Sequence, residues 1–166
     1  DRSHCGIAES EHPYTTNFNN KDVRITTHYY ENDLANSMYS VIHEGGHALY
    51  EMGVADEITM TPIGSGTSMG MHESQSRFCE NYLGRSLPFW QANYPSLQQM
   101  FPEQFGSVSL EQFLRAVNSA RRSLVRTEAD ELTYPIHILI RYEIEKGLFN
   151  GSISTEHLDQ TWNDRY

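Results

Sequence analysis

The sequence predicts a mainly α-helical fold with one small strand pair. Three observations lead there. The stretch from Asn32 to Glu51 carries helix start and stop signals and closes on Gly53. The clearest alternating run, Asp22 to Tyr30, is short and rich in β-branched and aromatic residues. After residue 70 the chain reads as helical segments punctuated by Gly and Pro.

Taken in order, residues 1–21 are polar and loop-like, with Pro13 and the Asn17, Asn19 and Asn20 cluster as turn chemistry. Residues 22–30 form a strand, and Asn32 or Asp33 then caps the first helix. Gly53 to Gly70 is a loop rich in Gly, Ser, Thr and Pro. A second helix is expected from about Met71 to Leu83, stopping at Gly84. Further helices are expected near Pro88 to Met100 and from Ser109 to about Asn118, with Ser123 to Arg126 as the second short strand. Thr127 to Phe149 reads as helix with a break near Pro135. A last helix begins near Ser154 and continues through Trp162 to Tyr166. There is no internal repeat and no low-complexity tract, so residues 1–166 are expected to form a single segment.

A length of 166 residues fits one domain or a large piece of one. Twelve Lys and Arg against 22 Asp and Glu give a formal charge of −10. That balance excludes the clustered cationic surface that nucleic acid or an anionic membrane needs. No apolar run approaches the roughly 20 residues that span a bilayer. Apolar residues make up only 38%, against about 45–50% in ordinary domains, which predicts an incomplete core. Cys5 and Cys79 are far apart and make no disulfide framework. No basic and then apolar leader precedes them, and the expectation is a cytoplasmic protein.

The sharpest chemical signal is His43-Glu44-Gly45-Gly46-His47, an H-E-x-x-H segment. On a helix, residues i and i+4 lie roughly 40° apart, so both imidazoles can bind one zinc ion. Glu44 stands roughly 100° round, able to reach an attacking water without binding the metal. Residue frequencies give about 0.03 such matches by chance. Leu34, Met38, Val41, Ala48, Leu49 and Met52 cluster on the other side of the helix, so the histidine face is expected opposite the core face. That placement suits a cleft and equally a solvated helix face. Gly45 and Gly46 each weaken a helix by up to about 1 kcal/mol relative to Ala, and a close helix contact would explain both.

A catalytic zinc needs a third protein ligand and an open position. Glu73, thirty residues after His43 and in the first turn of the next helix, is the candidate. Its alternative is a solvated carboxylate favoured by the helix dipole. His72 is adjacent and points about 100° away, so the two do not readily bind the same ion.

Several ordered segments together resemble the carboxypeptidase Taq family of thermostable metallocarboxypeptidases. H-E-G-G-H-A-L-Y-E-M-G (43–53) and H-E-S-Q-S-R (72–77) carry the resemblance most strongly. D-V-R-I-T-T (22–27) is similar to that family's D-x-R-x-T motif, and His12-Pro13-Tyr14 to its H-P-F motif. V-R-T-E-A-D (125–130) is similar to its I-R-x-x-A-D motif, and I-R-Y-E-I-E-K-G-L (140–148) extends the match. Family members are roughly three times longer, with a large helical N-terminal part and a later G-x-x-Q-D-x-H-W motif, so the chain reads as the central piece of such an enzyme.

The resemblance implies a helical metallopeptidase core that removes C-terminal residues from peptides. It implies His43, His47 and Glu73 as ligands of one Zn, with Co or Mn as substitutes, and Glu44 as general base. Arg126 becomes the grip on the substrate's free C-terminal carboxylate, and Asp22 with Arg24 a structural ion pair holding the strand near the metal. His12 becomes a substrate contact, as the matching His is in the more distant angiotensin-converting-enzyme relatives. The full-length enzyme is expected to be a homodimer. The rival readings are a gluzincin endopeptidase or dipeptidyl carboxypeptidase, and a catalytically inactive helical fragment or interaction module. His28, His137 and His157 are expected to be structural.

Overall fold

The computed structural model describes residues 2–166, apart from the side chain of Glu128. The chain divides into two compact units, Asp1–Val117 and Asn118–Tyr166. The fold is mainly helical, as the sequence predicts, with a small sheet in the first unit.

That sheet has three strands rather than two, ordered β1 (Cys5–Glu9), β3 (Asp22–Thr27), β2 (Thr15–Asn19). β1 runs parallel to β3 with Ile7 opposite Ile25; β2 runs antiparallel with Thr15 opposite Ile25 and is irregular between Asn17 and Asn19. The sequence reads residues 1–21 as loop because β2 is polar and exposed and β1 is only five residues long, with Cys5 and Ile7 alone turned inward. Both pair to β3, whose Val23, Ile25 and Thr27 are buried, and Cys5 and Ile7 of β1 pack on the same cluster.

Helix α1 (Leu34–Met52) lies against that face, with Val23 and Ile25 packed on Ala48 and flanked by Val41 and Met52. The Asp33 carboxylate caps it by accepting from the Asn36 backbone N–H. Its Leu34, Met38 and Ile42 pack around Tyr39 in a second cluster with Trp90, Tyr94, Leu97 and Phe113. Those aromatics come from α3 (Leu87–Met100) and α5 (Leu110–Val117), joined by the short α4 (Pro102–Phe105). Ser109 and Gln112 cap α5 reciprocally, each side chain accepting from the other's backbone N–H. Trp90 donates its indole N–H to the Gly84 carbonyl and Tyr94 its hydroxyl to the Val108 carbonyl, so the ring polar ends are satisfied.

The second helix differs from its sequence reading. α2 runs Met69–Arg77, capped by Ser68, and passes into a π-helical turn over Phe78–Leu83. The histidine face of α1 packs against α2, so it is half-buried rather than turned away from the core; Leu49 instead is exposed. Gly46 makes that approach possible. A Cβ there would stand 2.7 Å from the Ser76 Cα and 3.0 Å from the Gln75 carbonyl oxygen. Gly45 has nothing within 4 Å of such a Cβ, and no packing contact explains it.

In the second unit Ser123–Arg126 is not a strand. The Ser123 backbone N–H is taken by the Tyr166 hydroxyl, and a single 3-10 turn follows at Arg126–Glu128. Asp130 accepts from the backbone N–H groups of Arg121, Leu132 and Thr133, which delays α6 to Tyr134–Phe149 with Pro135 in its first turn. α6 ends at Gly151, whose φ of 77° is the left-handed conformation glycine supplies. α7 is Leu158–Asn163, shorter than its sequence reading. His137 is fully buried beside Tyr166 and Trp162.

The two glycines give opposite expectations. Gly46→Ala should cost about 1–3 kcal/mol through overpacking, while Gly45→Ala should stabilise by up to about 1 kcal/mol through helix propensity. Thermal melts of the two variants check this; equal shifts would remove the close contact as the reason for Gly46.

Candidate metal centre

α1 presents His43 and His47 one turn apart, and the middle of α2, rather than its first turn as the sequence predicts, presents Glu73 to both. The Glu73 Oε2 lies 3.4 Å from the His43 Nε2 and 3.3 Å from the His47 Nε2. These three form a ligand group on their own among the described residues. Ligands at about 2.0–2.1 Å around a tetrahedral zinc are separated by about 3.3–3.4 Å. The observed spacing matches that edge and is longer than the charge-assisted hydrogen bonds elsewhere in the site, so the donor set fits a zinc ion. The His43 and His47 rings are tilted to each other by 79°, so the two converge rather than stack.

Charged groups behind the donors fix their orientation. Glu80, delivered by the π-helical turn, takes the His43 Nδ1–H at 2.8 Å. The Arg77 guanidinium donates to the same Glu80 oxygen at 2.8 Å and to the Glu73 Oε1 at 3.1 Å. Arg85 approaches the other Glu80 oxygen at 3.6 Å. On the other imidazole, the His47 Nδ1 lies 2.7 Å from the His72 Nδ1. Burial opposes a charged His43, but Glu73 and Glu80 outweigh it and lift the imidazole to about 9. Burial likewise opposes ionisation of Glu73 and Glu80, and the facing histidines and Arg77 pull both below the usual carboxylate range. The pocket therefore favours a cation between its carboxylates.

Glu44 is buried toward the sheet, where the Thr15 hydroxyl donates to its Oε2 at 2.5 Å and stands 3.1 Å from its main-chain carbonyl oxygen. His12 is exposed, three residues before Thr15, and its carbonyl accepts from the Ser10 hydroxyl. Asp22 and Arg24 pair bidentately at 2.9 Å on the exposed side of β3, with the guanidinium over the Phe18 ring. Arg126 belongs to the second unit, where it donates to the Tyr134 hydroxyl at 2.6 Å. The structure thus brings His43, His47 and Glu73 together in the first unit, with the adjacent Glu44 held by Thr15.

A family model described as carboxypeptidase Taq (M32) metallopeptidase matches residues 1–166. The chain belongs to the M32 metallopeptidase family. Among M32 relatives, Carboxypeptidase 1 of Bacillus subtilis is 48% identical over 160 residues, covering 96% of this chain and 32% of its own length. Thermostable carboxypeptidase 1 of Thermus thermophilus is 48% identical over 155 residues, covering 93% and 30%. The crystal structure of an M32 carboxypeptidase from Deinococcus radiodurans superposes with a TM-score of 0.96 at 44% identity, covering all of this chain and 33% of that one. The chain spans about a third of the length of these relatives. Membership implies a metal cofactor, and the His43, His47 and Glu73 group is where the chain could hold it. No described helix is long and apolar enough to cross a membrane.

Sequence reasoning missed Glu80, Thr15, Glu51 and Asn17. Glu51 had a signal, since it follows His47 by four residues and lies on the same helix face. Glu80 had one too, since on the predicted helix it follows Glu73 by seven residues and Arg77 by three, along the same stripe.

Glu80 holds one imidazole and two guanidiniums within a buried site, so Glu80→Ala should cost about 3–5 kcal/mol. Denaturant unfolding of the purified variant measures it; a loss below about 1 kcal/mol would place the cluster among dispensable surface pairs.

Proposed function

We propose that the chain is the catalytic segment of a longer, helical, zinc-dependent metallocarboxypeptidase that releases C-terminal residues from peptides. The observation that carries this reading is that Glu73 Oε2 lies 3.4 Å from His43 Nε2 and 3.3 Å from His47 Nε2, the ligand-to-ligand edge of a tetrahedral zinc site, with all three donors within 4.8 Å of one another. Three protein ligands with an open fourth position are the pattern of a catalytic zinc; cobalt or manganese would substitute. A zinc ion held there lowers the pKa of a water to about 7 and polarises the scissile carbonyl.

Glu44 is the general base. It follows His43 directly and is no member of the ligand group, so its carboxylate is left for proton transfer. It takes a proton from the attacking water and delivers it to the leaving amine. The Thr15 hydroxyl pins its Oε2 and holds the carboxylate in one orientation.

Arg126 grips the substrate's terminal carboxylate, for which a guanidinium offers two parallel donors. His12 contacts the peptide, and the Asp22–Arg24 pair braces β3. Two free thiols, Cys5 and Cys79, support a reducing compartment, the cytoplasm.

The purified chain should carry about one zinc ion, and alanine at His43, His47 or Glu73 should abolish stoichiometric binding. Glu44→Gln should keep the metal while losing most of the peptidase rate. Metal analysis of the four variants beside a peptide-release assay decides; loss of metal in Glu44→Gln would mean the roles are misassigned.

Arg126→Ala should leave zinc content unchanged and lower kcat/KM by roughly 10- to 150-fold, the worth of a charge-assisted bond of about 1.5–3 kcal/mol. An amidated peptide, which has no carboxylate to grip, should show little of that loss. Equal losses on both substrates would move Arg126 out of the site, and equal cleavage of free and amidated peptides would point to an endopeptidase.

A further inference from the structure

We propose that His72 and Glu51 form a positioning pair that holds His47 in its metal-binding tautomer, with Asn17 anchoring the outer end. The proposal rests on the reading that His47 binds the metal through Nε2.

Four residues from three elements form one continuous chain. The His47 Nδ1 is 2.7 Å from the His72 Nδ1, the His72 Nε2 is 2.5 Å from the Glu51 Oε1, and the Asn17 amide donates to the Glu51 Oε2 at 2.9 Å. One of the two facing Nδ1 atoms must carry the hydrogen and the other must accept it. If Nε2 of His47 offers its lone pair to a metal, its hydrogen sits on Nδ1. His72 must then accept at Nδ1 and carry its own hydrogen on Nε2, where the Glu51 carboxylate receives it. The opposite order would place a hydrogen on the His47 Nε2 and block the ligand atom. Glu51 thus sets the direction of both hydrogen bonds from one end, and the Asn17 amide keeps its second oxygen occupied.

The His72 ring has a built seat. Tyr50 meets it edge-on at 4.9 Å between centroids and 80° between planes. A Cβ at Gly66 would come within 2.7 Å of the His72 Cδ2, so the loop before α2 closes on the ring at a position where only glycine leaves room. The Glu51 side chain is 9% exposed and that of His72 15%, which keeps water from competing for the links.

The two imidazoles are braced differently. His43 meets a carboxylate directly at Glu80, whose charge is shared with Arg77. His47 meets its carboxylate through a second imidazole. Partners of this kind typically contribute 10- to 100-fold to metal affinity.

The test measures zinc affinity of the whole chain by competition with a chromophoric chelator, with far-UV circular dichroism to check folding. His72→Phe keeps the ring shape and removes the acceptor; His72→Asn loses the ring but places an oxygen near the former Nδ1. We expect Phe to weaken zinc binding by about 10- to 100-fold and Asn to recover most of that loss. A ring that only fills space would give the reverse order, and that result, or a Phe variant binding like the parent, overturns the proposal. Should Phe not fold, Asn is compared with Gln, whose amide reaches past the Nδ1 position; equal affinities overturn it. Glu51→Gln should weaken binding in the parent and add little in the His72→Phe background, since the link it acts through is already cut. Additive losses overturn the chain. A parent chain that takes up no zinc overturns the metal reading itself, and a parent that binds zinc with unmoved variants overturns only this pair.

Discussion

α1 and α2 approach each other closely at Gly46, and the candidate metal centre lies along that contact. With no Cβ at that position, α1 settles against the backbone of Gln75 and Ser76. The fully buried Ser76 turns its hydroxyl back onto Glu73, donating to that residue's carbonyl at 2.8 Å and standing 3.2 Å from its carboxylate. The helix separation therefore governs how far the Glu73 carboxylate stands from His43 and His47. A methyl group at Gly46 would press on the Ser76 Cα and the Gln75 carbonyl, so it would act on the same helix that carries Glu73.

Around that contact the protein buries an unusual density of charge for a chain so poor in apolar residues. Glu44, Glu51 and Glu80 are all less than a tenth exposed; Glu51 meets His72, and Glu80 meets His43, Arg77 and Arg85. Buried charges are costly unless each finds a partner. Here Thr15, His72 with Asn17, and His43 with Arg77 supply those partners. The sheet contributes as much as the helices: β2 is short, polar and exposed, yet Thr15 and Asn17 from it hold two of the three carboxylates. A strand that adds almost nothing to the core earns its place by what it hydrogen-bonds.

Much of the first unit was readable in the chain. α1 with its Asp33 cap and Gly53 stop, α3 and α5 all lie within a residue or two of their sequence-based bounds, since caps, Pro and Gly act on their immediate neighbours. H-E-x-x-H is equally local: two histidines four apart share a helix face whatever surrounds them. Family membership followed from ordered motifs along the whole chain. The candidate ligands and the candidate base were therefore nameable before any coordinates.

Non-local features were not. β2 carries no alternation of its own and β1 only the short Cys5–Ile7 pair, so a window moving along the sequence passes over strands that hydrogen bonds to β3 complete. Ser123–Arg126 shows the converse, a strand-like segment that stays irregular because no described strand pairs with it. The π-helical turn at Phe78–Leu83 has no local signature either, although Glu80 shares the helical stripe of Glu73 and Arg77. The sequence by itself determined which residues can bind a metal and which can take a proton, because those capacities belong to side chains. Tertiary structure alone decided what stands behind each imidazole and carboxylate, because a hydrogen-bond partner is fixed by where the chain returns in space, not by where it lies along the chain.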